Sequence, residues 1–434
     1  MTLKPLVLIL GAALAAPVAN AENLSEVYRD ALAFDAQYAS AKATYRATQE
    51  KLPQARAGLL PNINANANFT HNKVDTTIPS NGSFNSKGWG IEAVQPLFRK
   101  QNWVVVDEAD AQIKAAQAQL MAAGQDLELR TATAYFDVLQ AQDNIDFIRA
   151  QKAAISEQLA SAKRSFEVGT ATITDTNEAQ ARYDLASAQE IAAQNDLDVR
   201  NRALFKVTGK NYGKLATLVP KAELKQPEPS AMDAWISQAQ EGNLGVVAQR
   251  YLKTLADQEI KRNRAGHYPT LDLAANYTDS RDQNFGASQI DSKVGTIGVQ
   301  FSLPIYQGGL ITSRVREAVA NQEKARQDLE NAQRDATLQT SQAYLNVKNG
   351  VAQVNALNQA LVSSQTSLDS TQLGLQVGVR TNIDVLNAQQ QVYSTQKDLA
   401  AARYNFILAM LGLKAAAGTL SDKDLADTDR YLLK

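Results

Sequence analysis

Pro61-Asn62-Ile63-Asn64-Ala65-Asn66-Ala67-Asn68-Phe69-Thr70 is the stretch on which the reading of this chain turns. Ile63, Ala65, Ala67 and Phe69 fall on one side of an extended backbone, and Asn64, Asn66, Asn68 and Thr70 on the other. Alternation of period two predicts a strand with one apolar and one wet face. The pattern returns 208 residues later, after Pro269, where Leu271, Leu273, Ala275 and Tyr277 oppose Asp272, Asn276 and Thr278; only Ala274 blurs it. Pro96-Leu97-Phe98 and Pro304-Ile305-Tyr306 share the same offset. Val168-Gly169 with Ile173-Thr174-Asp175 matches Val377-Gly378 with Asn382-Ile383-Asp384 at 209. Three matches in one order at nearly one offset mean two repeats of roughly 200 residues.

Each repeat reads as helix, strand, loop, strand and a very long helical hairpin. Return strands are expected near residues 89–94 and 296–303, where Ile297, Val299, Phe301 and Leu303 alternate with Gly298, Gln300 and Ser302. Polar loops rich in Asn, Ser, Asp and Gly are expected over 71–87 and 279–293. Residues 99–167 and 307–376 contain no proline, and a helix of ~70 residues is ~100 Å long. No compact globule needs such a rod, so these stretches should pack as a coiled coil, with small alanines on the seams. Gly169 and Gly378 mark the hairpin tips, and Asp175 and Asp384 follow near the start of each descending helix. The predicted units are a leader over 1–21, repeat one over 22–207, an irregular linker over 208–230, repeat two over 231–425 and a tail over 426–434.

The leader reads as a secretory signal: Lys4, an apolar run from Leu6 to Ala16, then Ala19-Asn20-Ala21 as a cleavage site. Eleven apolar residues are too few to span a bilayer as a helix, which needs ~20. Without Lys4, 43 basic residues face 45 acidic ones, a net charge of −2, which argues against a nucleic-acid partner. The chain has no cysteine, so disulfides, thiolate metal sites and a cysteine-linked lipid anchor are not expected. His71 and His267, 196 positions apart, read as surface residues rather than ligands. No G-x-S-x-G, H-E-x-x-H or P-loop spacing occurs; Gly209-Lys210 lacks the first glycine of a phosphate loop, since Leu204 stands there. Neither a cofactor nor an enzymatic activity is expected.

Strands that show lipid an apolar face can exist in a bilayer only as a closed barrel, because an open edge leaves backbone groups unpaired. Four strands cannot close, and barrels of this kind start at eight. The chain must therefore oligomerise, to eight strands as a dimer or twelve as a trimer. An eight-stranded barrel is filled by its own side chains, whereas a larger one holds water; an inward face of Asn, Thr, Gln, Ser and Asp suits a wet lumen. Phe98, Tyr268 and Tyr306 at the helix-side ends, and Trp89 and Tyr277 toward the loops, fit aromatic girdles. The expected fold class is mainly α with a membrane β-barrel portion.

Phe301-Ser302-Leu303-Pro304-Ile305-Tyr306-Gln307-Gly308-Gly309 resembles the strand-to-helix signature of the TolC family of outer-membrane efflux and secretion channels. Val377-Gly378-Val379-Arg380-Thr381-Asn382-Ile383-Asp384-Val385-Leu386 is similar to that family's second periplasmic tip. The match runs from about Leu24 to Leu425. It implies a homotrimer: a twelve-stranded barrel among outer-membrane lipids, continued by a twelve-helix periplasmic tunnel. It also implies docking to a periplasmic adaptor and to an inner-membrane pump or ABC exporter of type I secretion. In the family, polar links at the tips hold the periplasmic entrance nearly closed; the matching residues are Thr174, Asp175, Arg380 and Asp384. Charge-assisted bonds between Arg380 and the carboxylates would be strong yet reversible. Helix capping is the competing reading for Asp175 and Asp384. Two positions depart from the family: Leu375 replaces a tyrosine, and Asn387 an acidic residue. The rival functions are a soluble periplasmic coiled-coil adaptor or structural protein, which would not need two strand pairs, and a periplasmic enzyme, which would need a pocket of titratable residues.

Overall fold

A computed structural model describes residues 21–75, 82–219, 226–283 and 289–433. Except for Ala21, the leader lies outside the described residues, as do residues 220–225 of the linker. Repeat one opens with three short helices, α1 (Leu24–Phe34), α2 (Ala36–Gln49) and α3 (Lys51–Ala57). Strands β1 (Asn62–Val74) and β2 (Gly82–Arg99) follow, then the hairpin α4 (Lys100–Glu167) and α5 (Ile173–Thr208). Repeat two has α6 (Met232–Gly242) and α7 (Leu244–Arg264), β3 (Thr270–Gln283) and β4 (Gln289–Ser302), then α8 (Leu310–Gln376) and α9 (Asn382–Ala416). A last α-helix, α10 (Asp422–Thr428), is followed by a single 3-10 turn over Asp429–Tyr431.

The strands form one antiparallel sheet in the order β1-β2-β3-β4. They are longer than the alternation alone predicts, because hydrogen bonding continues into the polar stretches read from the sequence as loops; Lys73↔Ser83 and Arg281↔Asp291 still pair. Side-chain polarity changes at the edge of lipid, whereas the backbone ladder needs no apolar side chain to continue beyond it. Paired residues share a face, and the two faces are sorted by chemistry. One face carries Asn64, Asn66 and Asn68 opposite Glu92, Gly90 and Gly88, which pair on to Asn276, Thr278 and Ser280. A Cβ at Gly90 would lie 2.9 Å from Asn66 Oδ1, so glycine leaves room for that polar row. The other face carries Phe69, Trp89, Ile91, Tyr277, Ile297, Val299 and Phe301, all exposed on a single chain. β1 and β4 are free edges.

Below the sheet, α4 and α8 are rods of 68 and 67 residues, about 100 Å each. In the lower half, α5 folds back along α4 and α9 along α8; nearer the sheet, α2 and α3 flank α4 while α7 lies between α4 and α8. A broad core at the waist holds Tyr135, Phe136, Leu24, Leu413 and Leu425. Tyr135 donates its hydroxyl to the carbonyl of Ala216 at 2.7 Å, and Tyr404 donates to Asp143 at 2.7 Å. Isolated bridges Glu22↔Leu215 and Leu218↔Leu432 tie both ends of the described chain to the segment between the repeats. Toward the tips the core thins to small clusters such as Ile155, Leu159, Ala179 and Leu386.

Candidate functional site: the hairpin tips

Both tips are built alike. Gly169 and Gly378 have φ of 77° and 80°, the left-handed region where a side chain would be strained. The carbonyls left over at the helix ends are then covered. Ser165 accepts from the amides of Thr170 (2.8 Å) and Ala171 (3.2 Å). Gly374 accepts from those of Val379 (2.9 Å) and Arg380 (3.2 Å). The descending helices start with reciprocal capping boxes. In tip one, Asp175 Oδ2 accepts from Thr172 N (3.0 Å) and Thr172 Oγ1 (2.8 Å), and Asp175 N donates back to Thr172 Oγ1 (3.2 Å). In tip two, the same bonds join Thr381 and Asp384 at 2.9, 2.9 and 3.3 Å. Within one chain, then, the capping role holds for both aspartates. Each box uses Oδ2 only, and Oδ1 of both carboxylates has no hydrogen-bond partner among the described residues. The amide and hydroxyl of Thr381 hold the Asp384 carboxyl below its ordinary range, and the charge of Arg380 adds a smaller share.

Arg380 makes no ion pair within 4.0 Å of Asp175 or Asp384 in the single chain. Its aliphatic stem lies on α8, where a Cβ added to Gly374 would sit 2.6 Å from Arg380 Cγ. The glycine gives the stem its seat, and the equivalent position in repeat one is Ser165, with Ala171 where repeat two has Arg380. Thr174 is exposed at the first turn of α5. Leu375 packs against the cluster of Leu368, Val385 and Val392, so apolar contact stands where the family the chain resembles has a tyrosine. Asn387 is not idle: its Oδ1 accepts from Arg182 Nη2 on α5 at 2.9 Å. Arg182 also donates to Gln390 Oε1 (3.3 Å) and to Glu178 Oε1 on its own helix (3.0 Å). This link between hairpins was not foreseen, because Arg182 and Asn387 are 205 residues apart and neither belongs to a local motif. The pairing of two polar helix faces at matching distances from tips one and two was the available signal. Higher up, Tyr393 on α9 donates to the carbonyl of Ala150 on α4 at 3.3 Å. Among the described residues no group of three or more His, Asp or Glu could hold a metal ion.

A sheet with two open edges and an apolar outer face, carried on rods of about 100 Å that end in polar tips, defines a membrane-anchored duct built from several copies of one chain. The chain belongs to the outer membrane efflux protein family, whose two matched segments are residues 27–210 and 235–419. It is 37% identical to the outer membrane protein TolC of Vibrio cholerae over 415 residues, covering 95% of this chain and 94% of that one. It is 34% identical to the outer membrane protein TolC of Escherichia coli over 428 residues, 96% and 86% of the two chains. It is also 30% identical over 416 residues to the alkaline protease secretion protein AprF of Pseudomonas aeruginosa, 94% and 86%. Among solved structures the fold is shared with the outer membrane protein VceC of V. cholerae, with a TM-score of 0.77 and 21% identity over 91% of this chain and 96% of that one. The outer membrane channel CmeC of Campylobacter jejuni gives a TM-score of 0.79 at 18% identity, over 95% and 90%.

Proposed function

We propose that three copies of this chain form an exit duct that passes substrates from an inner-membrane pump or a type I secretion exporter across the periplasm and the outer membrane. The observation that carries the reading is the pair of open sheet edges on strands with one apolar face. Such a sheet is stable in lipid only when copies close it, and three give twelve strands around a polar lumen. α4 and α8 carry the lumen down through the periplasm to the tips, where a periplasmic adaptor would meet it. Relatives named as an outer membrane efflux protein and as protease secretion proteins support both routes of supply. No chemistry is assigned to the chain; its similar proteins are channels and secretion proteins.

The entrance gate is assigned to Thr174, Asp175, Arg380 and Asp384. Arg380 is seated on Gly374 with its guanidinium uncommitted to an ion pair in its own chain, while Asp175 and Asp384 each offer a spare Oδ1. Around a threefold axis these groups would meet as charge-assisted links between subunits. Arg380→Ser should raise single-channel conductance in planar bilayers, since it leaves the carboxylates without their cation. Wild-type conductance in the variant would mean that the entrance is held by other residues.

A further inference from the structure

Beyond the aromatic girdle on the loop side, the lipid-facing side of the sheet turns basic. Trp89 and Tyr277 mark the girdle, their ring centroids 5.5 Å apart, and Phe69 lies one row beyond Trp89, opposite Lys87. From Phe98 to Trp89 is about 30 Å of strand, or about 23 Å of height at a barrel's usual tilt of about 40°, which matches the apolar band of an outer-membrane barrel at about 25 Å. On the same face Lys293 lies in the row of Trp89 and Asp279, Lys87 and Arg281 lie one row further with Asp291, and Lys73 lies two rows beyond them, opposite Ser83. Three copies would set twelve cations and six anions across the loop-side rows of the barrel's outer face.

Lys87 and Arg281 are direct cross-strand partners. Like charges directly opposite destabilise a sheet, and β2 and β3 are inner strands, so protection of an exposed edge does not account for them. The carboxylates compensate incompletely: Arg281 lies 3.9 Å from Asp291 and Lys293 lies 3.9 Å from Asp279. Lys73 and Lys87 have no ion pair among the described residues. A dense anion would relieve the repulsion, and at this depth, facing lipid, it has to be a headgroup. The long helices occupy the periplasm, so this edge borders the outer leaflet, whose lipid is a phosphorylated glycolipid. We propose that Lys87 and Arg281 clamp one phosphate of that glycolipid between two strands, with Lys293 one row nearer the girdle and Lys73 two rows nearer the loops as flanking cations.

The inference rests on the barrel standing in the outer membrane, and a test by native mass spectrometry reads both, because trimer mass and bound lipid appear in one spectrum. Detergent-purified wild type and the Lys87→Gln/Arg281→Gln double variant are titrated with bisphosphorylated lipid A, lipid A stripped of both phosphates, and phosphatidylglycerol, with and without EDTA. The expected result is an intact trimer in both proteins. Wild type should bind bisphosphorylated lipid A at least ten-fold more tightly than the other two lipids, and the double variant should lose that preference. Equal binding by the double variant, or equal binding of stripped lipid A or phosphatidylglycerol, would overturn the site. So would loss of wild-type binding in EDTA, which would transfer the contact to a divalent ion on Asp279 and Asp291. Absence of the trimer in wild type would overturn the duct reading itself.

Discussion

Arg182 shows how one side chain changes the meaning of its neighbours. Read along the chain, Asn387 is a missing carboxylate, and Asn387→Asp would add three charges to a threefold ring at the entrance beside Asp384, drawing cations and multivalent blockers. With Arg182 Nη2 at 2.9 Å, the new carboxylate would instead form an ion pair with α5. We therefore expect Asn387→Asp alone to shift the reversal potential little, and the Asn387→Asp/Arg182→Gln pair to shift it clearly toward cation selectivity. If the single variant moves it as far as the pair, the Arg182 contact does not persist in the open membrane. The residues at the tips differ in how visible they are in sequence. Gly169 and Gly378 announce a left-handed turn, and Thr172 and Thr381 precede Asp175 and Asp384 by the three residues of a capping box, so these are local. Gly374 shows its purpose only beside Arg380, because the clash that a Cβ would cause exists only once the turn has folded.

Helices and strands make their own demands. α10 docks beside α4 and α1 through an acidic group: Glu128 on α4 faces Asp422 and Asp424 on α10 and Tyr28 on α1. Lys414 from α9 is paired with Asp424. Glu128 is 5% exposed, and its Oε2 has no hydrogen-bond partner. Burial, and then the charges of Asp422 and Asp424, push its carboxyl up from 4.5 to about 7. An unfolded glutamate releases its proton near 4.5, so between that pH and about 7 the folded state holds a proton that the unfolded one has lost. The favourable contribution is complete below about 4.5, falls as pH rises to about 7 and is flat above it, a change of about 3 kcal/mol at most. Glu128→Gln should flatten that slope and raise the thermal midpoint at pH 8; an unchanged slope by pH-dependent melting would remove Glu128 as its source. In the sheet, Ile297 lies near the middle of the outward face. Ile297→Lys should cost about 2–4 kcal/mol and lower the yield of assembled protein, while Gln300→Lys on the lumen face should not. Equal yields in a heat-modifiable gel assay would mean that the two faces have been assigned the wrong way round.

The whole molecule is incomplete as a single chain, and its exposed surface says where the rest belongs. Besides the edges β1 and β4, the long hairpin helices carry bare apolar residues, Ile191 and Val199 on α5 and Leu338, Val362 and Leu373 on α8. Seams of this kind are covered when copies stand side by side. Purified in detergent, the protein should have three times the mass of its chain, by light scattering corrected for bound detergent; a stable monomer without detergent would contradict the barrel. Much of this architecture could be read from the chain alone. The twofold repeat, the two-faced strands, the rods free of proline and the glycine tips all follow from periodicity and from single residues with few conformational options. Those are short-range properties, fixed within a few residues. The lengths of the strands, the Arg182–Asn387 link, the seat of Arg380 and the like-charge pair of Lys87 with Arg281 were decided only by tertiary structure. Each joins residues distant in sequence, and polar side chains carry no period from which their partners can be inferred.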